Sequence, residues 1–333
     1  MTCVYTRAQI DAALANVDVV SEVAQGFAAY SLGQVEVPPA GELLFPQNSG
    51  ELHIKYGAIR GDDVCVVKLA TGFYKNPDIG LPPFGGCMLV LSQKTGMVEA
   101  VLLEEGELTN HRTAAAGAVA ASVLAPAHVS EIGIVGCGVQ ARLQADLLRR
   151  VTGCRKLAIW GRSSDSVALA ATDISALGYQ VTPVPSLDDL CDRARLIVTT
   201  TPAENPVLTA AMIRPGTHIT AMGSDSPEKN EIEPLVLDRA DVVVADSLAQ
   251  SERSGEVFQA RKRGLLRNKQ VVELGSVISD RSKGRGSDNQ ITVADLTGVA
   301  VQDIAIAKAV LSHLTSDCRV SPPQDDDQAS GPT

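Results

Sequence analysis

Aromatic residues and positive charge are both scarce in this 333-residue sequence. Phe, Trp and Tyr together make up 3% of the chain, with a single Trp, so stacking platforms for single-stranded nucleic acid are not expected. Lys and Arg number 29 against 39 Asp and Glu, which gives a formal net charge of -10. Such a protein is repelled by nucleic-acid phosphates and by anionic membrane surfaces. The composition therefore predicts neither a nucleic-acid partner nor a membrane partner.

Metal-ligand spacings and long apolar runs are also absent from the sequence. The seven cysteines include no CxxC pair, and the histidines show no ligand spacing with them or with each other, so no metal site is expected. No window reaches the roughly 18 apolar residues that a membrane-spanning helix needs. The first residues, MTCVYTRAQID, lack the features of a signal peptide. We expect reduced thiols and a cytoplasmic location.

Hydrophobic periodicity divides the chain into two kinds of structure. Apolar residues spaced three or four apart over 10–27 predict an opening helix, and short β-like runs between residues 52 and 103 predict a mostly antiparallel sheet. From residue 130 onward, strands alternate with helices, which is typical of a Rossmann-type, doubly wound parallel sheet. A strand, turn and helix over 291–311 is expected to pack back on the first domain.

These patterns predict an α/β protein with two domains and a tail. Residues 1–118 together with 296–320 are predicted to form an α+β domain. Residues 119–295 are predicted to form the Rossmann domain. Residues 321–333 contain too few apolar side chains to form a core, so we expect this tail to be disordered.

A glycine-rich turn marks the start of the predicted parallel sheet. In EIGIVGCGVQARLQADLL, Gly136, Gly138 and Ala141 follow the spacing GxGxxA, directly after an apolar strand and before a helix. Gly136 allows a tight turn, Gly138 lets the backbone approach a pyrophosphate, and Ala141 permits close packing. Val139 and Gln140 lie at the N-terminus of the same helix, whose dipole favours phosphate. Any βα turn favours glycine, but this context predicts a dinucleotide cofactor.

Two further loops of the Rossmann domain are predicted to contact the cofactor. Thr200 and Thr201 follow the strand LIVT, and Arg162 follows the strand KLAIW. No carboxylate stands at 161–164, where an NAD-selective protein offers one to the ribose. Arg162 can hold a 2′-phosphate or stack on adenine, and Asp165 lies three residues on. The sequence therefore predicts NAD(P)H and leaves NAD versus NADP open.

Several motifs in a fixed order carry a resemblance to a known family. KLATGFYKNP, ELTNHRTAAAGAVAAS, the glycine loop, GSDSPEKNEI and DLTGVAVQD occur in turn between residues 64 and 303. Together they resemble the ornithine cyclodeaminase and mu-crystallin family. The resemblance implies an NAD(P)-dependent oxidoreductase acting on the CH–NH2 or C=N bond of a small amino or imino acid. It also implies a homodimer, with substrate binding and dimerisation assigned to the first domain.

The resemblance also implies roles for particular residues. Lys68 and Arg112 match the lysine and arginine of the family that bind the substrate carboxylate, and Lys68 is also able to donate a proton to an imine nitrogen. Asp225 matches the catalytic aspartate. It follows an apolar strand, at the sheet edge where ligands bind in such folds. Gly298 and Val299 match the segment that lines the nicotinamide side.

The sequence departs from ornithine-specific members of the family around residues 37–57. The stretches VPPAGELLF and ELHIKYG lack the arginine and the glutamate of those members. Instead they carry His53 and Lys55, which share one face of a strand because side chains alternate. These two residues favour a second carboxylate over a distal ammonium, although the face can also be open to solvent.

These observations favour an imino acid reductase or amino acid dehydrogenase, with iminosuccinate reduced to aspartate as one possible reaction. Two alternatives stay open. One is a cyclodeaminase-type ammonia lyase that uses NAD catalytically. The other is a ligand-binding protein like mu-crystallin.

Overall fold

The structure, a computed structural model, describes residues 2–314, so the predicted tail lies outside the described residues. The elements of the first part are β1 Cys3–Tyr5, α1 Arg7–Leu14, α2 Val19–Ser31, β2 Val35–Glu36, β3 Gly41–Phe45, β4 Gly50–Ile59, β5 Val64–Phe73, β6 Phe84–Ser92 and β7 Val98–Leu102. The strands form one sheet in the order β1-β7-β6-β5-β4-β2, with β3 also paired to β4. Only the β1–β7 pairing is parallel in this sheet, which confirms the prediction of a mostly antiparallel sheet.

The prediction of one opening helix is wrong. A short strand, β1, comes first, and the apolar repeat is divided between α1 and α2. Asp18 begins a second helix, because its carboxylate accepts a hydrogen bond from the Ser21 backbone N–H, at 3.4 Å, and so caps α2. The apolar spacing continues across this break, which is why periodicity alone did not reveal it.

The second part of the chain alternates strands and helices as predicted. Its elements are α3 Glu107–Leu124, β8 Ile132–Val135, α4 Val139–Leu148, β9 Lys156–Trp160, α5 Ser164–Ala176, β10 Gln180–Pro183, α6 Leu187–Arg193, β11 Leu196–Thr199, β12 His218–Ala221, α7 Pro234–Arg239, β13 Val242–Ala245, α8 Gly255–Lys262, β14 Val271–Glu273, α9 Leu274–Ser279, β15 Thr292–Asp295 and α10 Ala300–His313. All strands of this sheet are parallel, in the order β10-β9-β8-β11-β12-β15-β13-β14. The Rossmann-type fold is confirmed.

Parallel strands bring distant loops to one edge of the sheet. β8, β11, β12 and β15 are buried along their whole length, as expected for strands with helices on both faces. Their carboxyl ends therefore lie side by side. The loops that begin at residues 136, 200, 222 and 296 meet there, in the position where open α/β sheets bind ligands.

The last helix packs back on the first sheet, as the sequence predicts. Val301 and Ile304 of α10 are fully buried in one core with Val23 and Phe27 of α2. This packing brings the N-terminal turn of α10 next to β4 and β5. The boundaries at 118/119 and 295/296 stay a prediction, because α3 runs continuously across the first of them.

Within residues 2–314, no helix combines the length and the apolar character needed to cross a bilayer. The same residues contain no group of three or more His, Cys, Asp or Glu side chains that could hold a metal ion. Five described cysteines are free thiols, namely Cys65, Cys87, Cys137, Cys154 and Cys191. Cys3 is disulfide-bonded, so the expectation of reduced thiols is wrong at that residue.

Candidate active site

Three basic side chains from separate elements converge beside the N-terminal turn of α10. Lys55 of β4 and Lys68 of β5 are direct cross-strand partners, so their side chains leave the sheet on the same face. Arg112 comes from the second turn of α3. Lys68 is only 1% exposed and Arg112 only 6%. We call Lys55, Lys68 and Arg112 the cationic pocket.

One carboxylate holds two of these cations. Asp303 Oδ1 accepts hydrogen bonds from Lys68 Nζ at 2.9 Å and from Arg112 Nε at 3.0 Å. Arg112 Nη1 also donates to Gln302 Oε1 at 3.0 Å. Asp303 Oδ2 is buried and has no hydrogen-bond partner within residues 2–314. Two of the three cationic groups of the pocket therefore share a single buried carboxylate oxygen.

Burial, and next the neighbouring charges, shift the pKa values of the pocket. Burial, and next the charge of Arg112, lowers the pKa of Lys68 to about 7. The same two causes lower the pKa of Lys55. Burial works against ionisation of Asp303, but Lys68 and Arg112 hold its pKa below the ordinary value. Lys68 is thus able to gain or lose a proton near neutral pH.

Gly298 and Val299 connect the pocket to the edge of the parallel sheet. Lys55 Nζ donates to the Gly298 carbonyl at 2.6 Å. Gly298 has φ +85°, and a Cβ there would lie 2.9 Å from Arg112 Nη1, so only glycine fits. The backbone N–H groups of Gly298 and Val299 donate to Asp246 Oδ2, at 2.7 and 3.3 Å. The structure brings both predicted residues against the pocket.

Asp225 lies across the cleft from β4, in the loop after β12. Its side chain is 56% exposed and forms an ion pair with Lys229 at 2.6 Å. Desolvation in the cleft opposes its ionisation, but Lys229, and beyond it Lys55 and His53, lower its pKa. A half-exposed carboxylate that senses the charge of Lys55 from the opposite wall is positioned to meet a substrate bound between them.

His53 lies further out on the same face of β4 and among acidic groups. Its Nε2 is 3.5 Å from Glu51 Oε2, and its Nδ1 is 3.9 Å from Glu42 Oε1. Tyr74 Oη donates to Glu51 Oε1 at 2.7 Å. The predicted common face of His53 and Lys55 is present, but only Lys55 reaches the pocket. The two glutamates offset any positive charge on His53.

The glycine loop has the shape that a pyrophosphate requires. Gly136 has φ +119°, and a Cβ there would collide with Thr200 Oγ1. A Cβ at Gly138 would meet nothing within 4 Å, so the space beside it is open. Ala141 is fully buried against the sheet. The loop therefore fits a dinucleotide, with the N-terminus of α4 directed at its phosphates.

The other predicted cofactor residues divide into exposed and internally bonded groups. Val139 is 56% exposed, and Arg162 is exposed at the end of β9. Gln140 Nε2 donates to the Asn110 carbonyl at 3.1 Å, so its side chain joins α4 to α3. Thr200 Oγ1 bonds the Val135 carbonyl at 3.2 Å, and Thr201 Oγ1 bonds Glu231 at 2.8 Å. The two threonines therefore build the loop beside Gly136.

Comparison with known proteins identifies the family. The profile of the ornithine cyclodeaminase/mu-crystallin family matches residues 1–317. The chain belongs to this family. An uncharacterized cyclodeaminase of Sinorhizobium fredii is 44% identical over 82% of this chain and 83% of its own. The resemblance seen in the sequence is confirmed.

Two solved structures of the ornithine cyclodeaminase/mu-crystallin family share the fold. An archaeal alanine dehydrogenase dimer with bound NAD has a TM-score of 0.85 and 31% identity, over 94% of this chain and 95% of its own. The iminosuccinate reductase of Paracoccus denitrificans in complex with NAD+ has a TM-score of 0.85 and 29% identity, over 94% and 96%. The chain is an NAD(P)-dependent oxidoreductase of this family, as the sequence predicts.

Sequence reasoning missed the hydrogen-bond acceptors that hold the site together. Asp303 and Gln302 lie in DLTGVAVQD and Glu231 lies in GSDSPEKNEI, two of the motifs that carried the family resemblance. Their presence in those motifs was a signal. Their roles were hidden because Lys68 and Asp303 are 235 positions apart in sequence, and only the return of α10 to the first sheet brings them together.

Proposed function

We propose that the protein reduces a small imino acid to an L-amino acid at the cleft between the cationic pocket and Asp225. The observation that carries this proposal is the buried set of Lys68, Arg112 and Asp303, which lies opposite Asp225 and beside the loop edge that fits a dinucleotide. A cationic clamp and a titratable donor on one wall, with a carboxylate on the other, match the needs of an imino acid.

The proposed role of each active-site residue follows from its chemistry. Arg112, and in part Lys68, would bind the substrate carboxylate, since both are held rigidly by Asp303. Lys68 would donate a proton to the imine nitrogen, because its pKa of about 7 allows release at neutral pH. Asp225 would hold the imine nitrogen from the opposite wall.

The proposed role of the glycine loop is to bind the cofactor and not to take part in the chemical step. The amide groups at Gly138, Val139 and Gln140 would hold the pyrophosphate at the N-terminus of α4, and Thr200, Thr201, Gly298 and Val299 would border the nicotinamide. When bound, the reduced nicotinamide supplies a hydride to the imine carbon while the nitrogen takes a proton.

The charge of the pocket favours a dicarboxylic substrate, with iminosuccinate giving aspartate as our specific proposal. The pKa values of Lys55 and Lys68 are lowered despite the nearby carboxylate of Asp303, so negative charge from a ligand would stabilise the protonated form of both lysines. Lys55 is the proposed contact for the second carboxylate. His53 contributes less, because Glu51 and Glu42 lie beside it.

An initial-rate screen tests this function. Oxidation of NADH or NADPH is followed at fixed enzyme concentration with oxaloacetate or pyruvate, each with ammonia or methylamine. We expect net cofactor oxidation with ammonia, fastest with oxaloacetate. Turnover of L-ornithine with ammonia release and no net change in cofactor absorbance would instead establish a cyclodeaminase. Ligand binding without turnover of any of these compounds would establish a binding protein.

We also propose that the protein accepts NADP, through Arg162. Ser163 caps α5 by accepting from the Ser166 N–H at 3.3 Å, and no carboxylate stands between it and the end of β9 to repel a 2′-phosphate. Arg162→Ala should raise KM for NADPH about tenfold, from the loss of one charge-assisted contact, and change KM for NADH less than twofold. An equal change for both cofactors would mean that Arg162 only stacks on adenine.

A homodimer formed through the first domain is the third part of the proposal. Leu43 and Leu44 of β3, Phe84 of β6 and Ile79 are each more than half exposed. Large apolar side chains exposed on the first sheet and on the loop between β5 and β6 are consistent with an interface. Light scattering coupled to size-exclusion chromatography should give twice the mass of the 34.9 kDa chain. A single-chain mass that persists at high protein concentration would contradict the dimer.

A further inference from the structure

A second buried charged group lies behind the edge of the parallel sheet and outside the cationic pocket. Glu231, Glu256 and Asp295 are fully or almost fully buried. We call these three residues the carboxylate cluster. Burial, and next the charge of Asp295, raises the pKa of Glu256 to about 8. Burial is also the main cause that raises the pKa of Asp295 to about 7. The proposed reaction makes no use of these groups.

Glu231 is the member that touches the active-site loops. Its Oε1 accepts from the Thr201 backbone N–H at 2.6 Å and from Thr201 Oγ1 at 2.8 Å. Its Oε2 accepts from the Gly223 backbone N–H at 2.7 Å and from Thr199 Oγ1 at 2.7 Å. One carboxylate thus joins the loop after β11 to the loop after β12.

The two loops that Glu231 joins carry the proposed cofactor and substrate contacts. Thr200, between the two bonded threonines, fills the space that a Cβ of Gly136 would need. Gly223 comes two residues before Asp225, and a Cβ at Gly223 would collide with the Thr201 carbonyl and with Glu231 itself. Any shift of Glu231 therefore moves the wall of the cofactor loop and the base of the Asp225 loop together.

Glu256 holds Glu231 from behind. Its Oε1 accepts from the Glu231 backbone N–H at 2.7 Å and from the hydroxyl of Ser224, the residue directly before Asp225. Its Oε2 accepts from Asn230 Nδ2 at 2.5 Å and from the Ile232 N–H at 3.2 Å. The segment from 230 to 232 is thus fixed along its backbone, and the Glu231 side chain projects from a rigid base.

We propose that Glu231 is a positioning residue that fixes the position of the cofactor loop relative to Asp225. The assignment of Asp225 to catalysis rests on the proposed function, whereas the effect on the cofactor loop does not. Both oxygens of Glu231 face a backbone N–H, a group that only donates. Both oxygens must therefore accept, and a side chain with a single acceptor oxygen at its end cannot replace them.

Glu231→Gln tests the assignment with nearly unchanged volume. One amide nitrogen would face a backbone N–H, which forces one of the two loops away. We expect the Kd for NADH, measured by fluorescence titration without substrate, to rise about tenfold or more, within the 10- to 100-fold range seen when supporting contacts of a site are removed. We expect kcat/KM to fall about 100-fold.

Glu233→Gln is the matched control. Glu233 lies two residues along the same segment, and its Oε2 accepts only from the Ala210 backbone N–H, at 2.7 Å. A glutamine oxygen is able to take this single bond, so the Kd for NADH should stay within about twofold of the unmodified protein. If Glu231→Gln does not fold, Thr199→Val removes one donor to Glu231 with the same shape and should raise the Kd about threefold.

A double-mutant cycle with Asp225→Asn separates positioning from general destabilisation. Alone, Asp225→Asn should lower kcat/KM about 100-fold. In the Glu231→Gln background it should cost less than about tenfold, because Asp225 is already displaced. An unchanged Kd for NADH in Glu231→Gln, or strict additivity in the cycle, would overturn the proposal. If Asp225→Asn alone had no effect, the proposed role of Asp225 would be wrong, and the NADH titration would still decide the role of Glu231.

Discussion

The cationic pocket and the carboxylate cluster each bury several groups of like charge, but the two regions differ in how these charges are compensated. In the pocket, Lys68 and Arg112 share one oxygen of an internal carboxylate, Asp303, whose second oxygen has no hydrogen-bond partner among residues 2–314. In the cluster, Glu231 and Glu256 each accept four hydrogen bonds from the chain itself. Burial shifts both kinds of group toward their neutral forms.

The difference lies in where the compensating groups come from. Glu231 and Glu256 of the cluster are compensated by backbone N–H groups, hydroxyls and one amide that are fixed when the chain folds, so the bonding of these two carboxylates is complete without a ligand. In the pocket, burial and the charge of Arg112 lower the pKa of Lys68 despite Asp303, so an anionic ligand would stabilise the protonated lysine. This difference supports the proposed roles, which are substrate binding for the pocket and positioning of loops for the cluster.

Removal of the titratable cation of the pocket gives the largest expected effect. Lys68→Met keeps the length of the side chain but removes both the proton donor and part of the carboxylate clamp. We expect kcat/KM to fall about 1000-fold, because a positioned acid contributes about 100- to 10,000-fold. Steady-state rates of NADH oxidation with the best substrate of the screen measure this loss.

The matched control for this loss is Lys94→Met. Lys94 is exposed and pairs only with Asp63 at the surface, so its removal should leave kcat/KM within about twofold. A Lys68→Met enzyme that kept more than a tenth of the activity would show that Lys68 is a structural cation, and the contrast between the two regions would then fail.

Substitution of Lys55 is expected to change the choice of substrate more than the rate. Lys55→Met removes the proposed contact for the second carboxylate, and a charge-assisted hydrogen bond is worth about 1.5–3 kcal/mol. The KM for a dicarboxylic substrate should therefore rise about 10- to 100-fold relative to that for a monocarboxylic one. The ratio of kcat/KM with oxaloacetate to that with pyruvate, each with ammonia, is the measurement. His53→Gln serves as the comparison variant and should change this ratio by less than about threefold.

Sequence patterns located the elements that bear the site more reliably than the contacts within it. The GxGxxA spacing placed the cofactor loop, because strand, turn and helix are adjacent in sequence. Lys68 and Arg112 were identified through motifs of the family. Their shared partner, Asp303, was not, because that contact depends on α10 packing against β5 across most of the chain.

The position of β15 in the sheet is a second feature that local sequence patterns could not predict. It is the last strand in sequence, yet it pairs with both β12 and β13 in the interior of the sheet. Its periodicity predicts a strand but carries no information on which neighbours it joins. The carboxylate cluster depends on this insertion, since Asp295 ends β15 and accepts from the Val257 N–H at 2.8 Å.

Substitution of Asp303 tests the electrostatics of the pocket and should cause only a moderate loss of activity. Its carboxylate raises the pKa of Lys68 and so offsets part of the lowering caused by burial and by Arg112. If Lys68 must be protonated for reduction, kcat/KM should fall about tenfold for each pH unit above about 7. In Asp303→Asn the pH above which kcat/KM falls should be lower, with a roughly tenfold loss of kcat/KM at pH 7. If that pH were unchanged, a group other than Lys68 would control the pH dependence of kcat/KM.

Thermal stability should respond to pH with opposite signs in the two regions. The pKa of Glu256 is raised to about 8 by folding, so the folded protein retains a proton that the unfolded chain has released, and stability falls as pH rises toward 8. The pKa of Lys68 is lowered to about 7. There the unfolded chain retains the proton, and stability rises as pH rises above 7.

Melting temperatures between pH 6.5 and 9 separate these two contributions by a few degrees. Glu256→Gln removes the falling contribution and should make the slope of melting temperature against pH more positive. Lys68→Met removes the rising contribution and should make the slope more negative. Slopes are compared because each substitution also changes stability at every pH. If both variants changed the slope in the same direction, the pocket and the cluster would not be opposite cases of buried charge, and the assignment of binding to one and positioning to the other would lose its electrostatic basis.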